Sequence, residues 1–150
     1  MKALVAEAEW NPRKGYPLTA QESKARSAIV GSQVWQHPRL TIQNAPTPVV
    51  RDDEVLVRVL YCGICGSDTH THEIDRDGYI IFSGPTKLPC ILGHELSGEV
   101  VEVGRDVLGF KEGDIVTSES IMWCGKCRPC RSGMLNQCEQ VELMGLTING

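Results

Sequence analysis

The chain has 150 residues, 41% of them hydrophobic and 23% charged, and 15 Lys and Arg against 19 Asp and Glu leave a net charge of −4. That length supports one ordinary hydrophobic core, so a single globular unit over residues 1–150 is expected. The acidic balance, with no basic cluster interleaved with aromatics, argues against nucleic acid and anionic membranes as partners, and no apolar run is long enough for a membrane span.

In chain order, Met1 to Ala8 suits a first strand, and 11–34 then breaks the pattern with Asn11-Pro12, Gly15 and Pro17, which predicts a surface insertion. Within it, Thr19 to Ile29 reads as a short helix with Thr19 as N-cap and Glu22 as its capping-box partner, ended by Gly31. Arg39 to Gln43 alternates as a strand, and Glu54 to Tyr61 repeats the period-2 pattern over E-V-L-V-R-V-L-Y. A polar loop from Thr69 to Lys87, a β-branched run from Glu99 to Val103, a Gly113-Asp114 turn and a strand from Ile115 to Ser118 follow. Short strands separated by turns predict a mainly β unit, an antiparallel barrel or sandwich with few short helices.

Cysteine usage carries the chemistry. Seven cysteines, an odd number beside no signal peptide, argue against a disulfide framework and for the cytoplasm. Cys124, Cys127, Cys130 and Cys138 stand at C-x2-C-x2-C-x7-C spacing among Gly125, Pro129 and Gly133, a tetrathiolate pattern whose usual occupant is Zn²⁺. An iron–sulfur cluster is the main rival. The bacterial ferredoxin run, however, places its fourth cysteine after three residues and before proline, whereas seven residues intervene here and Glu139 follows. A zinc lobe over 118–140 is therefore expected.

Two further segments carry reactive groups. Cys62-Gly-Ile-Cys-Gly-Ser-Asp-Thr-His70 sits at the end of the strongest strand and offers a thiolate, a hydroxyl, a carboxylate and an imidazole within nine residues. Taken alone, it reads equally as a metal site or as a Cys62/Cys65 redox pair. Gly93-His94-Glu95 precedes a β-branched strand, and Gly98 occupies the place where a zincin helix needs its second histidine, so a helical metalloprotease grip is excluded.

Taken together, G-I-C-G-S-D-x-H at 63–70, G-H-E-x2-G-x5-G-x2-V from Gly93 to Val107, G-D-x-V at Gly113 to Val116 and the cysteine quartet resemble the zinc-dependent medium-chain dehydrogenases, densely over Glu54 to Cys138. The resemblance implies a GroES-like catalytic domain, an irregular β-barrel with a protruding structural zinc lobe. Gly66 looks like the polyol and threonine dehydrogenase branch, and Trp10-Asn-Pro-Arg13, Gly31-Ser-Gln-Val-Trp35, Gly78-Tyr-Ile80 and Trp123 to Cys130 look like its inositol-related members.

Carried across residue by residue, the resemblance implies that Cys65 and His94 bind a catalytic zinc, that Glu95 binds it directly in one state or sits just behind it, that a further cysteine or glutamate ligand lies beyond Gly150, that Asp68 orients His94, and that Ser67 and His70 relay a proton. Cys124, Cys127, Cys130 and Cys138 would hold the structural zinc, while Cys62 and Cys90 match no ligand position and are expected to be buried small hydrophobes. The implied activity is oxidation of a secondary alcohol on a small polyol or cyclitol to a ketone through a zinc-bound alkoxide, with NAD(P) as acceptor. No G-x-G-x-x-G follows a strand, so the Rossmann unit is absent from the chain. The sequence therefore reads as the N-terminal part of a longer dehydrogenase, a dimer or tetramer when whole and inactive as this piece. A zinc-stabilised binding module and a C-x-x-C thiol redox protein are the alternative classes.

Overall fold

A computed structural model describes residues 1–150, and it is built mainly of antiparallel strands. Strand β1 (Lys2–Trp10) pairs with β2 (Trp35–Asn44) on one side and β4 (Cys90–Ile91) on the other, while β3 (Val55–Cys62) pairs with β5 (Leu96–Val103), which also takes β6 (Ile115–Thr117). A small ribbon joins β7 (Ile121–Met122) to β8 (Glu142–Leu143). The strands expected from alternation are all present, with β1 and β2 longer than the apolar pattern indicated.

The ladders form three separate sheets, not a closed barrel. The mainly β expectation with few short helices holds, and the irregular barrel stays unclosed for local reasons: β4 and β6 are only two and three residues long, and register shifts between Leu56/Val57 and Val59/Tyr61 break the β3–β5 ladder. Close backbone approach keeps β3 and β5 paired nonetheless. A Cβ at Gly98 would stand 2.5 Å from Val57 Cγ1 and 2.6 Å from the Arg58 carbonyl oxygen, so only glycine fits there.

Ala6, Ala28, Val34, Trp35, Ile80 and Leu88 share the main core with Cys90 and Leu92. Two of these, Ala28 and Val34, come from the expected surface insertion, and Ile80 comes from the expected polar loop. Both segments are packed because Ala28 bridges to Thr86, Gln36 bridges to Tyr79, and the Trp35 indole N–H donates to the Thr86 carbonyl at 3.1 Å. Helix α1 (Ala20–Ala25) keeps the Thr19/Glu22 capping box but ends four residues before Ile29, because Arg26 turns left-handed at φ 49°. Glu22 is 3% exposed, and its carboxylate accepts from Thr19 N–H, the Thr19 and Tyr16 hydroxyls and Ile29 N–H. No helix is long and apolar enough to cross a membrane.

Candidate functional site

Strand β3 delivers the first group of reactive side chains. Where it ends, Cys65 in extended backbone opens the single-turn helix α2 (Gly66–His70), and Asp68 Oδ2 accepts the Cys65 N–H at 2.9 Å. That bond fixes the turn carrying Cys65, Ser67 and Asp68. The partner strand β5 begins at Leu96, directly after His94 and Glu95, and the Gly63 N–H donates to the Glu95 carbonyl at 2.9 Å. Antiparallel pairing therefore brings two segments 29 positions apart in sequence to one end of the same sheet.

There the donor atoms of Cys65, His94 and Glu95 all lie within 4.8 Å of one another. Ser67 Oγ is 3.3 Å from His94 Nε2. On the other side of the ring, His94 Nδ1 faces Asp68 Oδ1 at 3.6 Å, both side chains are 10% exposed, and neither atom has a hydrogen-bond partner. A buried imidazole N–H aimed at a buried carboxylate is what a cation on Nε2 requires, since the carboxylate then fixes the tautomer and raises ring basicity. A soft thiolate, an imidazole and a carboxylate with one side open also form a donor set suited to Zn²⁺. The residues present thus fit the metal that the resemblance implies.

His70 stands apart from this trio. Its ring is 44% exposed and Nδ1 lies 3.8 Å from Glu73 Oε2. Glu73 did not emerge from the sequence, and its position three residues beyond His70 was the one available signal. Gly63, the first glycine of the 63–70 motif, leaves room for its neighbour: a Cβ there would fall 2.5 Å from Glu95 Oε2.

Two cysteines outside the ligand sets behave differently. Cys90 is buried as expected, and burial pushes its thiol up to about 12. Cys62 is exposed, which corrects the expectation of a buried thiol; it falls at the end of β3, where the strand runs out of cover, and its Sγ lies 3.5 Å from the Gly63 carbonyl oxygen and beside Gly93.

The four remaining cysteines form a separate centre. Cys124, Cys127, Cys130 and Cys138 present sulfurs within 4.8 Å of one another: Cys124 and Cys127 precede the short helix α3 (Arg128–Arg131), Cys130 lies within it and Cys138 follows it. Gly125 supplies the left-handed turn, φ 68°, between the first two. Backbone N–H groups point at the sulfurs: Cys124 and Gln140 donate to Cys138 Sγ at 3.3 Å each, and Cys127 donates to Cys124 Sγ at 3.4 Å. Donation from the Lys126 and Cys127 amides brings the Cys124 thiol down to about 6, whereas burial pushes Cys130 up to about 12. Four convergent thiols with amide support suit a closed structural metal site, since together they can fill a tetrahedral ion's coordination.

Comparison with known proteins identifies the family and the fold. Residues 51–150 match the family described as the alcohol dehydrogenase GroES-like domain. The chain is 37% identical over 157 aligned residues to scyllo-inosose 3-dehydrogenase of Thermotoga maritima, covering 100% of this chain and 40% of that protein. A solved candidate alcohol dehydrogenase from Thermotoga maritima superimposes with a TM-score of 0.95 at 36% identity, covering 99% of this chain and 40% of the other. A candidate zinc-binding dehydrogenase from Sinorhizobium meliloti, solved with NADP bound, superimposes with a TM-score of 0.65 at 32% identity over 75% of this chain and 30% of its own. The chain thus spans about 40% of the length of the Thermotoga relative.

Proposed function

Because the chain belongs to the alcohol dehydrogenase GroES-like domain family, we propose that it is the metal-binding catalytic portion of an NAD(P)-dependent dehydrogenase that oxidises a secondary hydroxyl on a small polyol or cyclitol to a ketone. The observation that carries this reading is the convergence of Cys65, His94 and Glu95 on one end of the β3–β5 pair, with Ser67 and Asp68 flanking the imidazole. The 37% identity with a scyllo-inosose 3-dehydrogenase supports the cyclitol class.

In this reading Cys65, His94 and Glu95 hold a catalytic zinc and the cysteine quartet holds a structural one. Zinc at the first site would supply Lewis-acid polarisation of a hydroxyl or carbonyl oxygen, lowering the pKa of that hydroxyl. The chain's own residues do the rest. Asp68 holds the His94 ring in its tautomer through Nδ1. Ser67, whose Oγ lies 3.3 Å from His94 Nε2, would take the substrate hydroxyl proton on Oγ while giving up its own. His70, exposed and backed by Glu73, accepts that proton and passes it to water. A nicotinamide cofactor would supply the hydride acceptor. The complete enzyme is expected to be a cytoplasmic homo-oligomer.

The test is turnover by the full-length enzyme carrying these residues. NAD(P)-dependent oxidation of a cyclitol or sugar alcohol should fall by a factor on the order of a hundred or more in Cys65→Ser and in Ser67→Ala. Wild-type protein that oxidises no polyol in the presence of zinc and either cofactor would refute the reading.

A further inference from the structure

We propose that a polar groove beside His70 is a subsite for the hydroxyl-rich part of a neutral polyol or cyclitol, recognised by Glu9, His37, Arg39, His72 and Glu73; this rests on the polyol reading above and names the residues behind it. The groove spans about 610 Å³ between the β1–β2 edge and the loop after α2, open to solvent, and these five polar side chains line it together with Pro38 and Ile74, whose apolar surface can take the C–H face of a ring. Carboxylates accept from paired hydroxyls, a guanidinium donates in a fixed fork, and imidazoles do either. Two carboxylates against one guanidinium leave the groove without a net positive charge, which disfavours a phosphate or carboxylate ligand and selects a neutral one.

Both walls are held in advance of any ligand. On the first, the β1–β2 register slips between Glu7 and Glu9, and His37 adopts φ 53°, an uncommon backbone for a residue other than glycine. The bulge turns the imidazole into the groove, with Nδ1 3.2 Å from Glu9 Oε2, while the His37 N–H donates to the Gly78 carbonyl at 2.8 Å. The ring packs over Gly78, where a Cβ would stand 3.1 Å from it and push it aside by a few tenths of an ångström.

On the second wall, Arg13 is a positioning residue. Its guanidinium pairs with Asp75 and, at 3.1 Å, with Asp77, and lies 3.8 Å from the Tyr79 ring centroid; its Nε donates to the Ser32 carbonyl. The Gln36 amide holds the Asp77 carbonyl at 2.8 Å from across the strand. The turn that follows His72, Glu73 and Ile74 is thereby clamped to the packed 11–34 segment. Glu73 joins the groove to the reacting end, because its carboxylate also faces His70 Nδ1 at 3.8 Å.

The experiment is a titration of the protein with myo-inositol, read by backbone amide shifts, with glucose 6-phosphate as the anionic comparator. Expected are saturable inositol shifts at residues 36–39 and 72–74, affinity about tenfold weaker in Glu73→Gln and in Arg13→Met, and unchanged affinity in Arg105→Gln, whose side chain pairs with Asp52 away from the groove. His37→Gly suits the left-handed backbone, so it removes the imidazole without unfolding the bulge, and it should weaken inositol binding similarly. Shifts confined to the surroundings of Cys65 and His94, tighter binding of the phosphate, or no saturable shift at all would overturn the subsite. Inositol bound in the groove of a full-length protein that oxidises no polyol would support the subsite and sink the functional reading, so the two fail separately.

Discussion

The two cysteine-bearing centres of this molecule are assembled by opposite means. The quartet takes four sulfurs from fifteen consecutive residues, and short turns with Gly125 in left-handed backbone suffice to aim them at one point. The Cys65, His94 and Glu95 group takes its donors from two segments that meet only because β3 and β5 pair in the right register. A local centre can staple a lobe whatever the sheets do. A centre built across a sheet reports on that sheet's integrity, and it keeps one side open where chemistry can occur.

The largest separation of the two should come from the quartet itself. Cys127→Ser removes one of four thiolates and should release the lobe metal, with a loss on the order of several kcal/mol of local folding free energy. Zinc content should fall from two per chain to one, and proteolysis should open within 118–140 while the Cys65 site stays loaded. Next, Gly98→Ala forces a Cβ into Val57 and the Arg58 carbonyl and should cost about 2 kcal/mol. Thermal unfolding should shift downward, and zinc should leave the Cys65 site before the quartet. Equal loss from both would show that the two centres are not independent.

Smaller changes sharpen the same contrast. Asp68→Asn leaves all three donors in place but removes the carboxylate facing His94 Nδ1, and zinc affinity at that site should weaken about tenfold or more, with the quartet unaffected, as read by competitive chelation. The smallest expected effect is at Glu22, a local staple without metal. Burial pushes its carboxyl up, but N–H donation from Ile29 and Thr19 and the Thr19 and Tyr16 hydroxyls outweigh burial and hold it below the ordinary carboxylate value. Its stabilisation is therefore full above the ordinary carboxylate range and lost as pH falls through the lowered value. Glu22→Gln should cost about 1 kcal/mol at neutral pH, and the urea midpoints of the two proteins should converge in acid.

The same local and distant division governs how much could be read from the sequence. The quartet was legible from spacing alone, as was β3, whose eight-residue alternation has a single meaning. The capping box at Thr19 and Glu22 was legible too, since both partners lie within one turn, but the left-handed Arg26 that ends α1 carries no sequence signal comparable to glycine. His94 and Glu95 could be joined to Cys65 only through resemblance, because pairing register is not written in either segment. The burial of Ala28, Val34 and Ile80 was hidden for the same reason: residues in proline- and glycine-rich stretches read as surface until a distant partner such as Thr86 covers them. The open sheets were likewise out of reach, since the bulges that interrupt β3 depend on its neighbour.

The central claim is that the β3–β5 end is a metal site in its own right, distinct from the staple. Anomalous scattering at the zinc edge from crystals of the zinc-saturated protein tests it most directly. Two peaks are predicted, one among Cys124, Cys127, Cys130 and Cys138 and one against Cys65 Sγ and His94 Nε2, the second alone vanishing in Cys65→Ser. A single peak at the quartet in the wild-type protein would contradict the account.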